Sequence, residues 1–104
     1  MLDTALLASV ARQMLTGSKV NVNDKDVPVR RTSTHRLKTL SFTMDGREYQ
    51  AIEQNPEKPS RWGKLAREGR HVVQFKDSAT NQFVAVSVDG KVTVYGAGRT
   101  AGKE

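Results

Sequence analysis

A chain of 104 residues with 37% hydrophobic and 27% charged residues is one polar domain's worth, able to fold around a single small core. It has no Cys, which excludes a disulfide framework, a thiolate metal site and a Cys nucleophile. No apolar run approaches the ~18–20 residues of a bilayer-spanning helix, and 17 Lys and Arg against 11 Asp and Glu leave a net charge of +6.

The first element reads as a helix. Asp3 is its N-cap, and Leu6, Leu7, Val10 and Met14 recur on one face. Gly17 is expected to close it in the left-handed conformation. The stretch from Met1 to Leu15 has no basic residue ahead of its apolar part, and Arg12 interrupts it, so it reads as part of the domain and not as a secretion signal. With no Cys and no Asn-x-Ser/Thr, the expected compartment is cytoplasmic.

Val20 and Val22 fit a short edge strand, followed by a turn at 23–26. From Val27 the period becomes two, with Pro28 implying an edge or a strand start. Leu40, Phe42 and Met44 alternate with polar residues up to Asp45–Gly46, a two-residue hairpin signal. That loop puts Phe42 opposite Tyr49 and Leu40 opposite Ala51. Pro56 and Pro59 stiffen a connector, Ser60 caps a short helix through Glu68, and Gly69 ends it. Trp62, Leu65 and Ala66 share the inner face of this helix. Gly63 weakens it by ~1 kcal/mol relative to Ala and permits close packing.

Three strands follow: Val72 to Lys76, Phe83 to Val88 and Val92 to Tyr95. In the second, Val84, Val86 and Val88 lie on one face and Phe83 and Ala85 on the other, so it is expected to be central. The expected fold is α+β. An N-terminal helix packs on a bent antiparallel sheet of about five strands, open or closed into a small barrel, with a short helix between a hairpin and a three-strand meander. The domain spans 1–95, and residues 96–104 are expected to be a flexible tail.

Catalytic constellations are not expected. The segment from Ala97 to Lys103 has the spacing of a phosphate-binding loop, but Glu104 replaces the metal-holding Ser or Thr, and the following helix is missing. His35 and His71 lack metal-ligand spacing, so no cofactor or metal is expected. No Ser sits in a Gly-x-Ser-x-Gly setting, and no carboxylate is marked by apolar neighbours. Ser33, following Arg30 and Arg31, matches a basophilic kinase pattern that also arises by chance.

Charge is the strongest functional lead. Residues 30–76 hold 11 basic groups against five acidic ones, and both flanks are neutral. Arg30, Arg31, Arg36 and Lys38 form one cluster with His35; Arg61, Lys64, Arg67 and Arg70 form a second. Three readings follow, one of them an enzyme of unrecognised type with a concave pocket, besides an ordinary solvated surface. The first is a non-catalytic interaction module binding a protein partner or assembling with copies of itself. It predicts an exposed apolar patch, for instance at Leu2, Leu6 and Met14 or at Val84 and Val86. The alternative is RNA or single-stranded DNA binding through the basic segment, which requires both clusters on one face. A membrane partner is not expected.

Overall fold

The computed structural model describes residues 2–95; the expected tail at 96–104 lies outside the described residues. Helix α1 (Thr4–Thr16) starts where the Asp3 carboxylate accepts the Leu6 N–H at 3.1 Å. Leu7, Val10, Ala11 and Met14 form its buried stripe. Gly17 departs from expectation. Its backbone is extended (φ −144°, ψ −179°), and its N–H bonds the Gln13 carbonyl at 2.9 Å. The chain then runs directly into β1 (Lys19–Val22), so no left-handed reversal is needed.

β1 pairs with β2 (Lys25–Pro28) in a separate two-stranded sheet, turned by Asn23 and Asp24, both at positive φ. The six-stranded sheet follows chain order: β3 (Arg30–Arg31), β4 (Lys38–Met44), β5 (Arg47–Glu53), β6 (Val72–Asp77), β7 (Gln82–Val88) and β8 (Lys91–Val94). Helix α2 (Arg61–Arg67) lies between β5 and β6 in sequence. The α+β class holds, but the strands exceed the expected five. Pro28, lacking an N–H, ends β2, and β3 resumes as a distinct short strand. All pairings are antiparallel, and none among the described residues joins β3 to β8 as a closed barrel would.

The β4–β5 hairpin has the expected register, Phe42 against Tyr49 and Leu40 against Ala51, all four buried. Phe42 also meets Phe75 edge-on, with ring centroids 6.2 Å apart. These side chains, with Val73 and Ala85, form the core under α1. On the other face Trp62, Val72 and Val86 form a smaller core with Leu65, Ala66 and Val88, so α2 covers part of the sheet.

β7 is internal, as expected, but its alternation breaks. A register shift at Phe75/Lys76 pairs Phe75 with Ala85 and Lys76 with Phe83, leaving Val84 as the extra residue of a bulge. Val84 therefore packs with the α1-side core, away from Val86 and Val88. Phe83 is turned to the side of Trp62, where both line one cleft. Among the described residues no helix is long and apolar enough to cross a membrane.

Candidate nucleic-acid interface

Strand direction decides where the basic residues go. In an antiparallel sheet, the starts of β4, β6 and β8 and the ends of β5 and β7 share one end. The segments 32–37, 54–71 and 89–90 therefore gather there. His35 Nδ1 lies 3.9 Å from Glu57 Oε2, which joins the first cluster's loop to the connector before α2. Residues 30–38, 53–71 and 89–91 together carry ten Lys and Arg against four Asp and Glu. This excess equals the net charge of the whole chain.

The eight predicted basic residues divide into two groups. Lys38 belongs to the scaffold: its ammonium donates to the Leu15 carbonyl at 3.0 Å, at the negative end of α1, and its N–H donates to Glu53 at 3.0 Å. Arg67 clamps the connector by donating from one nitrogen to the carbonyls of Pro56 (2.6 Å) and Lys58 (2.9 Å). Arg31 donates to the Arg36 carbonyl at 2.7 Å, across the loop that Thr32 and Leu37 close. Arg70 pairs with Asp89. The Asp89 carboxyl is held below its ordinary 3.8, first by the His71 backbone N–H and then by Arg70, and burial opposes both.

Arg30, Arg36 and Lys64 are exposed and have no side-chain partner among the described residues. The Arg61 guanidinium sits 4.9 Å over the Trp62 ring, leaving its N–H groups uncommitted among the described residues. Lys58, passed over in the sequence reading, is exposed, unpaired among the described residues and held on the connector between two prolines. The signal for it was present: a cation on a rigid loop beside the second cluster.

A cleft of about 430 Å³ opens between the connector and the sheet, lined by Gln54, Lys58, Ser60, Trp62, Gln74 and Phe83. An adjoining hollow extends it toward Leu37 and Ile52. Its walls are tightly tied. Tyr95 O–H donates to Gln74 Oε1 at 3.0 Å, Gln74 Nε2 to Gln54 Oε1 at 3.0 Å, and Gln54 Nε2 to the Asn55 carbonyl at 3.1 Å. Asn55 accepts the Glu57 N–H at 2.9 Å through its side chain and the Lys58 N–H at 3.3 Å through its carbonyl. Ser60 caps α2 by accepting the Gly63 N–H at 3.1 Å, as expected.

Beneath α1, Ser87, His71 and Asp89 line a smaller hollow of about 180 Å³. They do not form a relay. Asp89 accepts from the His71 backbone and from Arg70, and the buried Ser87 Oγ has no partner among the described residues. No three His, Asp or Glu side chains converge as metal ligands among the described residues.

The residues considered from sequence as apolar patches are buried to different degrees, with Leu2, Leu6 and Val84 only partly so. Met14 and Val86 are fully buried, and Leu2, Leu6 and Val84 pack against the α1-side core. Among the described residues the one exposed large hydrophobic is Val94, 45% exposed on β8. Comparison of the chain with protein-family models, with curated proteins and with solved structures returned no match.

Proposed function

We propose that this protein is a non-catalytic binder of single-stranded nucleic acid, RNA or single-stranded DNA, with the basic end of the sheet following the phosphates. One observation supports the reading: the segments that carry the two basic clusters, separate in sequence, lie at the same end of the sheet, with His35 and Glu57 3.9 Å apart between them. Cations gathered on one surface displace condensed counterions together, whereas dispersed ones only aid solubility. The cleft beside them favours a single strand over a duplex, because unstacked bases offer flat faces to a recess. A cytoplasmic location fits such a ligand. The protein-partner and self-assembly readings have less support, since Val94 alone does not make a patch.

The test is fluorescence anisotropy of a labelled mixed-sequence strand, RNA and DNA in turn, over a salt series. Single-strand binding that neutralises four phosphates gives a log–log salt slope of roughly −3. Arg30→Ala, Arg36→Ala and Lys64→Ala each reduce affinity across all sequences and make the slope shallower. Binding indifferent to salt, or unchanged in all three variants, would falsify the reading. Light scattering of the same samples separates strand binding from self-assembly.

A further inference from the structure

We infer that the cleft between the connector and β5–β7 is a base subsite selecting a carbonyl-bearing nucleobase, uracil or thymine, over adenine; this rests on the single-strand reading above. The donor inventory of the wall carries it. The Gln54 amide gives one N–H to Asn55 and the Gln74 amide gives one to Gln54, so each keeps one N–H uncommitted. The Lys58 ammonium has no partner among the described residues. The Ser60 oxygen accepts from Gly63, which leaves its O–H to donate elsewhere. The Trp62 Nε1–H, in a residue 6% exposed, is buried with no acceptor among the described residues. None of the seven residues lining the cleft is a carboxylate, and Glu53 lines only the adjoining hollow.

Such a wall offers more free donors than acceptors, since Gln54 Oε1, Gln74 Oε1 and Ser60 Oγ each already accept one hydrogen bond. It suits a ligand rich in acceptors, and the Watson–Crick edge of uracil presents two carbonyl oxygens where that of adenine presents one ring nitrogen beside its amino donor. Half-buried Phe83 supplies the aromatic surface for the base, placed there by the β7 bulge. The volume lies within the ~300–1,000 Å³ of small-molecule sites. Lys58 lines the cleft and Arg61 stands over the ring of Trp62 in its wall, so both are close enough to meet the strand's phosphates.

The experiment compares oligouridylate, oligothymidylate, oligoadenylate and an abasic strand of equal length at one salt concentration. Anisotropy gives the affinity, and fluorescence of the chain's single Trp reports cleft occupancy. Expected is about tenfold tighter binding of the uracil and thymine strands than of the adenine and abasic ones, the size of one good base contact. A Trp62 fluorescence change should accompany only the tighter pair. The two tight strands, compared with each other, separate RNA from DNA as the source of the base. Gln54→Ala and Phe83→Leu, the second keeping apolar volume while removing the ring, should each bring the tight pair down to the adenine level. Lys64→Ala should weaken all strands in proportion and preserve the ratio. Equal binding of all four strands, or a preference untouched by both cleft variants, overturns the subsite and leaves the phosphate reading standing. Absence of binding by every strand overturns both.

Discussion

Gly63 shows how a tertiary neighbour can reverse a local preference. By helix propensity, Ala at this position is better by ~1 kcal/mol. A Cβ there, however, would lie 2.1 Å from the Lys58 carbonyl oxygen, a backbone atom fixed by the Arg67 clamp. Gly63→Ala should therefore destabilise the fold by about 1–3 kcal/mol, the cost of an overpacked site, read as a lower urea midpoint. The sequence reading allowed for close packing at Gly63 but not for which effect dominates, since the neighbour comes from the connector. The same gap separated Lys38 and Arg67 from Arg36 and Lys64. Their charges were legible; whether a carbonyl or a carboxylate waits for each is a property of the folded chain. Acid stability is also set residue by residue. For Asp77, burial pushes the carboxyl up, but the Arg47 guanidinium, bonded at 2.5 Å and 3.1 Å, and the Ala79 N–H bring it below 3.8. Asp89 is lowered as well. Both carboxyls thus bind protons less readily folded than unfolded. Their stabilisation is complete above the unfolded value and disappears as pH falls through the folded ones. Asp77→Asn should lower stability at neutral pH and make its decline below pH 3.8 less steep, measured by urea unfolding at stepped pH.

At the scale of elements, turns were the most legible features because their chemistry is local. Asp45–Gly46 and Asp89–Gly90 both take the positive-φ pairs that a two-residue hairpin needs, and Ser60 and Asp3 cap the helices they precede. The bulge at Val84 was not legible. A run of Phe, Val, Ala, Val reads the same whether or not one residue is extra, and the mismatch exists only against β6. It matters for the proposed base subsite, because strict alternation would put Phe83 with Ala85 and remove the ring from the cleft. The connector is a second such case. Its prolines announced rigidity, but Arg67 reaches back nine and eleven residues to hold it, a spacing no local rule marks. Arg67→Met keeps the apolar stem and removes both bonds. It should cost about 1 kcal/mol of stability and speed amide exchange at Glu57 and Lys58, whose N–H groups depend on the connector's shape.

Over the whole molecule the question is whether net charge or its placement would control the proposed strand binding. The folded chain measures 36 × 31 × 25 Å, and exposed charges are screened beyond ~8 Å at physiological ionic strength. A cation at the far side therefore contributes little to a strand lying across the basic end. The charge totals by segment were readable directly from the residues. That segments 30–38 and 53–71 share an end follows from strand direction, which could be known only once the pairings were. Lys64 and Lys25 make the comparison. Both are exposed and lack side-chain partners among the described residues, one on α2 and the other beside the β1–β2 turn. Lys64→Glu and Lys25→Glu change the net charge equally. If placement governs, Lys64→Glu should weaken oligonucleotide binding by about tenfold and Lys25→Glu by about twofold or less at physiological salt. At low ionic strength the screening length grows to ~30 Å near 0.01 M, comparable to the molecule, and the two variants should converge. Anisotropy titrations at both salt concentrations read this directly. Equal losses at physiological salt would mean that the basic end acts only through total charge, and the surface assigned to the strand would have to be given up.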